Sequence, residues 1–280
     1  VNLDKYDMPP CILLKSDGAT IYATRDLAAA FYRKKTYDFD KCLYVVAYQQ
    51  DLHFKQIFKV IELMGYPWAK DLIHVPFGMV SYEGQTLSTR KGHVVYLDEL
   101  LHRACDKALD IINEKNPDLP DKEKVARQVG IGAVVFYDLF SGRIKDVDFW
   151  WDRALNFEGE TGPYVQYAHT RCCSVLAKAP ALDAALADFS ALSDESSTEL
   201  ITLLENFPQV IADAAQKYEP SVITRYCAAL AQSYNKFYFD NRIIGENEGV
   251  MQARLLVTKC TRDVIKTALG LLGIDAPEKM

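Results

Sequence analysis

Residues 43–65 read LYVVAYQQDLHFKQIFKVIELMG. Leu43 to Ala47 is a short apolar run rich in β-branched residues, the pattern of a buried parallel strand. Asp51 opens a helix as its cap, Phe54, Ile57, Phe58 and Ile61 fall on one helical face, and Gly65 closes it. Tyr48 to Gln50 lie between the two, at a strand's carboxyl end, where open α/β sheets bind their ligands. Asp26 to Tyr32 (DLAAAFY) reads as an earlier helix that starts on a good cap residue. Ile73 to Tyr82 (IHVPFGMVSY) is strand-like, and Val94 to Tyr96 is another short strand. Helix, strand, helix and strand in turn predict α/β organisation with right-handed crossovers.

Strand signals nearly vanish after residue 97. Leu97 to Lys115 is a long amphipathic helix, and Asp121 to Phe140 is another, with Val125, Val129, Ala133 and Phe136 in register. Residues 145–157 (KDVDFWWDRALNF) look extended and irregular. Helices are predicted over 160–178, 195–217, 219–241 and 248–272, and 179–195 forms a surface connector. The fold class is therefore α/β followed by all-α. There is no internal repeat and no low-complexity tract.

The chain has 280 residues, which favours two domains and allows three. Hydrophobic content of 49% with 25% charged residues is enough for sizeable cores. The net charge is -6, so any nucleic-acid contact must use local patches and aromatic surfaces rather than a global basic field. No apolar run reaches membrane-spanning length, and the start, VNLDKYDMPP, is no signal peptide. It also lacks an initiating Met, as a processed, tagged or excised chain does. Seven cysteines, an odd number with no CxxC spacing, read as reduced thiols of a cytoplasmic protein. His169 with Cys173, or His102 with Cys105, could each be half of a zinc site; a small buried residue beside a helix face explains each as well, and no metal site is assigned.

Three stretches carry chemistry. In DGATIYATRD (17–26), Tyr22 and Asp26 stand four apart, and a carboxylate beside a phenol suits a planar cation such as guanidinium. Alternatively Asp26 is a helix acid that complements the macrodipole. In YQQDLHF (48–54), two amides and an imidazole can hold a polar ligand, or the loop is merely capped with its Gln residues exposed. In TLSTRKG (86–92), hydroxyls and two cations can bind phosphate oxygens, with Gly84 and Gly92 allowing movement; a solvated turn is the other reading. The Walker A spacing is absent.

Taken together, the blocks DGATIYATRDLAAA (17–30), YVVAYQQDLHFKQIF (44–58), HVPFGMVSYEGQTLSTRKGHVVYLDELL (74–101), ALNFEGETGPYVQYAHTR (154–171) and LGLLGIDAPEKM (269–280) resemble, in family order, the C-terminal half of arginyl-tRNA synthetases, a class I aminoacyl-tRNA synthetase family. The resemblance implies the second half of a Rossmann-type catalytic domain over 1–98, a helical connector that meets the tRNA stem over 99–160, and an α-helical anticodon-binding domain over 161–280.

The resemblance further implies activation of L-arginine with ATP, with Mg2+ as companion ion, and transfer to the 3′-terminal adenosine of tRNA-Arg, by a full-length protein that is monomeric. Tyr22, Asp26 and Gln50 match the family's arginine-binding positions. His53 lies by the same pocket, and Met79 and Val80 match the strand bordering adenine. Ser88, Thr89, Arg90 and Lys91 match the class I signature loop, with Thr89 in place of the second lysine of Lys-Met-Ser-Lys-Ser. The His-Ile-Gly-His signature is absent, so the chain is read as a C-terminal fragment that does not aminoacylate alone. In the helical half, Tyr234 and Tyr238 share a face and could stack on anticodon bases, or pack inside the bundle. The same resemblance implies that the C-terminal segment ending at Met280 lies near the anticodon face and meets tRNA, and Trp150 and Trp151 read as packing between domains. A cysteinyl-type enzyme and a non-catalytic tRNA-binding module are the competing readings. The set Tyr22, Asp26 and Gln50 argues against the first, and the intact TLSTRKG and YATRD blocks argue against the second.

Overall fold

The computed structural model describes residues 1–86 and 95–280. Ser88, Thr89, Arg90 and Lys91, and Val94 of the expected short strand, lie outside the described residues. The chain divides into two compact units, Val1–Met79 with Ile144–Asp146, and Val80–Arg143 with Val147–Met280.

The first unit is α/β. Helix α1 (Tyr22–Tyr37) leads to strand β1 (Cys42–Ala47), helix α2 (Asp51–Leu63) and strand β2 (Leu72–Phe77). β1 and β2 run parallel, with Cys42 opposite Leu72 and Ala47 opposite Phe77. α1 starts four residues before Asp26, so Asp26 sits inside the helix and is not its cap. Asp51 is likewise the first residue of α2, behind Gln50 at the cap position, and its carboxylate turns to His74 and Lys55 instead. Leu27, Ala30, Ile57, Val60, Ile61 and Leu72 form the core between helices and sheet. Phe31, Tyr66 and Trp68 close one side with edge-on ring contacts.

β1 is parallel as predicted, but it is not buried on both faces. Leu43 and Val45 are exposed, Val45 at 63%, because no element among the described residues covers that side of a two-stranded sheet. The long strand predicted over 73–82 is broken at Gly78 and Met79. A Cβ at Gly78 would stand 2.1 Å from the Lys145 carbonyl oxygen, so only glycine admits the close approach of the two backbones there. The same crossing is pinned by the Met79 N–H, which donates to Asp146 at 2.6 Å.

The second unit opens with a small sheet in the order β4-β3-β5, of β3 (Val80–Tyr82), β4 (Gln85–Thr86) and β5 (Val147–Phe149). β5 pairs parallel with β3, and a short helix α5 (Trp151–Ala154) follows it, so 145–157 is more ordered than its irregular composition suggests. Val95 and Tyr96, in turn, form no strand. Asp148 accepts hydrogen bonds from the Ser81 hydroxyl, the Gly84 N–H and the Trp150 indole, which fixes the β3–β4 turn. Trp151 is buried among Phe149, Tyr82 and α-helical side chains and donates to the Tyr82 hydroxyl, while Trp150 is partly exposed.

Among the described residues the unit also holds six longer helices: α3 (Leu97–Lys115), α4 (Lys122–Phe140), α6 (Gly162–Lys178), α7 (Glu195–Lys217), α8 (Ser221–Asp240) and α9 (Glu248–Leu271). Val125, Val129, Ala133 and Phe136 are buried as their spacing predicts. Two glycines set the helix approach. A Cβ at Gly130 would meet the Ala104 backbone at 2.6 Å, and one at Gly162 would meet the Gly132 oxygen at 2.8 Å. Pro163 occupies the first turn of α6, and Thr161 caps it. Asp194 caps α7 by accepting from the Ser197 N–H, and its carboxylate also takes the hydroxyls of Ser196 and Ser197. The main core runs through Phe136, Val165, Leu200, Leu230, Tyr234, Leu255 and Ile265. Among the described residues no helix is long and apolar enough to cross a membrane.

Candidate functional site

The first unit brings four expected residues onto the carboxyl-end side of β1. Tyr22 and Asp26 lie one turn apart on α1; Tyr22 is 80% exposed and is free to meet a ligand. Gln50 ends the 3-10 turn after β1, exposed and at the cap position of α2. His53, one turn into α2, donates from Nε2 to Asp26 Oδ2 at 2.6 Å. Asp26 keeps 41% of its side chain exposed. A carboxylate oriented by an imidazole and left partly exposed can accept a bidentate cation.

Behind this group His74 holds Asp51 and the Val46 carbonyl, each at 3.0 Å. The ammonium of Lys55, followed by the His74 ring, holds the Asp51 carboxyl below the usual carboxylate range. Met79 and Val80 are partly exposed at the strand break.

The second unit carries a cationic and aromatic face. The expected exposed pair divides. Tyr238 is 43% exposed, whereas Tyr234 is fully buried in the bundle core, with ring centres 6.4 Å apart. The i,i+4 relation aligns the two rings along α8, but Tyr234 lies where that face meets α6 and α9, and Tyr238 lies one turn later at its rim. As it stands, Tyr234 offers no ring face to a base. Burial pushes its phenol far up.

Arg171 was not singled out in the sequence, yet it organises this face. Its guanidinium carbon lies 4.9 Å from the Tyr167 ring centre and 5.2 Å from that of Tyr238. It donates to the Asn235 amide oxygen, and Asn235 donates to the Tyr164 hydroxyl. Lys178 and Arg242 join Arg171 and Tyr238 around a cleft of about 330 Å³. The Tyr167–Arg171 spacing of four within YAHTR is the signal that could have found it. Phe239, 89% exposed, is a further aromatic that the sequence reading left unassigned.

Met280 ends the chain beside α3 and α4. Its side chain packs on the α3–α4 core with Ile112, Leu119 and Val125, and Asn116 donates to its carbonyl. The segment before it is latched to α6. His169 Nδ1 and the Thr170 hydroxyl both donate to the Pro277 carbonyl, and the Gln166 amide donates to that of Asp275. Cys173 Sγ stands 3.8 Å from His169 Nε2. His102 is paired with the Asp98 carbonyl. Among the described residues no group of three or more His, Cys, Asp or Glu could hold a metal ion. All seven cysteines are free thiols.

A half sheet ending in a ligand-facing loop, followed by a helical bundle with a cationic aromatic face, is the architecture of a class I synthetase's second half. The family model described as tRNA synthetases class I (R), catalytic domain, matches residues 1–151, and the DALR anticodon binding domain matches 165–280. The chain therefore belongs to the arginyl-tRNA synthetase family. It is 54% identical to the arginine–tRNA ligase of Clostridioides difficile (strain 630) and 55% identical to that of Halothermothrix orenii, over all of its own length and 50% of each relative's. The solved Thermus thermophilus arginyl-tRNA synthetase superposes with a TM-score of 0.89 at 32% identity, covering 96% of this chain and 51% of that one. The chain thus spans about half the length of the curated relatives it matches.

Proposed function

We propose that this chain contributes the guanidinium pocket, the ATP-phosphate loop and the anticodon face of an arginine–tRNA ligase. The reaction joins the arginine carboxylate to the α-phosphate of ATP with release of pyrophosphate, then transfers the arginyl group to the 2′-hydroxyl of the terminal adenosine of tRNA-Arg. The observation that carries the reading is the Asp26–His53 pair on the ligand side of β1. Asp26 receives the substrate guanidinium, with Tyr22 and Gln50 at the rim. Met79 and Val80 border adenine, and Ser88, Thr89, Arg90 and Lys91 meet the phosphates. Mg2+ travels on the triphosphate, which suits a hard cation that keeps most of its own water.

In the second unit, Tyr238, Tyr167 and Arg171 stack with and neutralise the unpaired anticodon nucleotides. The domain limits 1–98, 99–160 and 161–280 follow the same division of labour. The uncovered face of β1 at Leu43 and Val45 supports a chain whose sheet face is covered by the preceding half of a class I domain. The test is pyrophosphate exchange in the presence of tRNA-Arg, with this chain mixed with the N-terminal half of the C. difficile relative. Exchange driven by arginine and not by cysteine or lysine supports the reading. Exchange with cysteine overturns it, and exchange with none of the three leaves tRNA binding as the activity to be measured.

A further inference from the structure

We propose that His74 is a positioning residue for the arginine pocket: one buried imidazole ties together both ends of the loop that presents Gln50 and His53. The inference rests on the reading that Asp26 and Gln50 hold arginine.

The loop Tyr48–Gln50 connects β1 to α2. At its start, His74 Nε2 lies 3.0 Å from the Val46 carbonyl oxygen. At its end, His74 Nδ1 lies 3.0 Å from Asp51 Oδ1. Each ring nitrogen is thus within hydrogen-bond distance of one end of the loop, and the ring spans the loop from β2 as a two-ended brace. Its side chain is 8% exposed, and its ring lies 4.7 Å from that of Phe54, tilted by 32°. Phe54 in turn meets the His53 ring edge-on at 5.3 Å. His74 therefore touches the end of β1, the first residue of α2 and the Phe54 ring that packs on His53. Pre-organised loops of this kind lower the ordering cost of binding, and a displacement of about 1 Å is enough to weaken it.

Each contact can be removed singly. His74→Asn places an amide nitrogen near Nδ1 and keeps the Asp51 donor. His74→Gln places one near Nε2 and keeps the Val46 donor. His74→Phe keeps the ring packing and loses both. The experiment is arginine titration of the 280-residue chain mixed with the N-terminal half of the C. difficile relative, followed by the backbone amide of Gln50 and the ring signals of His53 in 15N NMR with only the 280-residue chain labelled. The expected result is a Kd raised about tenfold in His74→Phe, which corresponds to the loss of roughly one net hydrogen bond, and by less in the two amide variants. Asp26→Asn in the parent chain should raise the Kd by about 10- to 100-fold, which reports on the pocket itself. Equal Kd in the parent and all three His74 variants overturns the positioning role. If the parent shows no titration, the arginine reading has failed, and amide exchange at 48–50 in the same samples decides the brace. Faster exchange in His74→Phe supports it, and unchanged exchange overturns it.

Discussion

Asp26 and His53, 27 residues apart in sequence, meet at 2.6 Å, with 41% of the Asp26 side chain still exposed. The pair is too exposed to matter much for folding and well placed to matter for binding. Replacing Asp26 by Asn should raise the KM for arginine by about 10- to 100-fold, the worth of a charge-assisted hydrogen bond to guanidinium, and leave the KM for ATP within about twofold. Thermal unfolding should move by no more than a degree or two. Charging kinetics at varied arginine and varied ATP, with the N-terminal half supplied, separate the two effects.

Arg171 lies between Tyr167 and Tyr238, so a change there removes a charge and unseats two rings. Arg171→Ala should weaken tRNA-Arg binding by roughly 1–3 kcal/mol and reduce the slope of log affinity against log salt by about one. Tyr238→Ala should weaken binding with an unchanged salt slope. Tyr234→Ala should instead lower the melting temperature of the bundle, because that ring is in the core. Filter binding over a salt series, beside thermal melts, distinguishes the three.

His169 is buried, and burial pushes its imidazole pKa down despite the hydrogen bond it gives to the Pro277 carbonyl. The sign of the linkage follows. The unfolded chain takes up a proton near pH 6.5, and the folded chain resists it. The stabilisation is complete above about pH 6.5 and is lost as pH falls below that value towards the depressed folded pKa. Urea unfolding of the chain at pH 7.5 and 5.5 should show a lower midpoint at 5.5, and His169→Gln should flatten that difference.

Gly130 lets α4 lie against the Ala104 backbone, where a Cβ would stand at 2.6 Å. Gly130→Ala should cost about 2 kcal/mol or more, since backbone atoms rather than a flexible side chain must give way. Gly270→Ala, also helical but with nothing within 4 Å of its added Cβ, should be neutral or slightly stabilising. Melting temperatures of the two variants provide the comparison.

Much of this architecture was legible in the sequence. The helix over Leu97–Lys115 has the bounds its amphipathic period predicts, and Phe54, Ile57 and Ile61 face the core as their spacing requires. Periodicity shows which side chains share a face and not what covers that face. This is why Val45 is exposed in a run that reads as buried, and why Tyr234 and Tyr238 have different surroundings. The Arg171 cluster needs Asn235 and Tyr238 from α8, 64 and 67 positions away, and no local pattern reports such a meeting. The brace at His74 is non-local in the same way. The loop over Ser88–Lys91 was read from residue chemistry and from the family resemblance.

The most direct test is arginylation of tRNA-Arg by the purified chain, alone and with the N-terminal half of the C. difficile relative added in trans. The account predicts no charging by the chain alone and arginine-specific charging when both halves are present. Charging by the 280-residue chain alone would contradict it, because the active site would then be complete without the half-domain that the open face of β1 is proposed to receive.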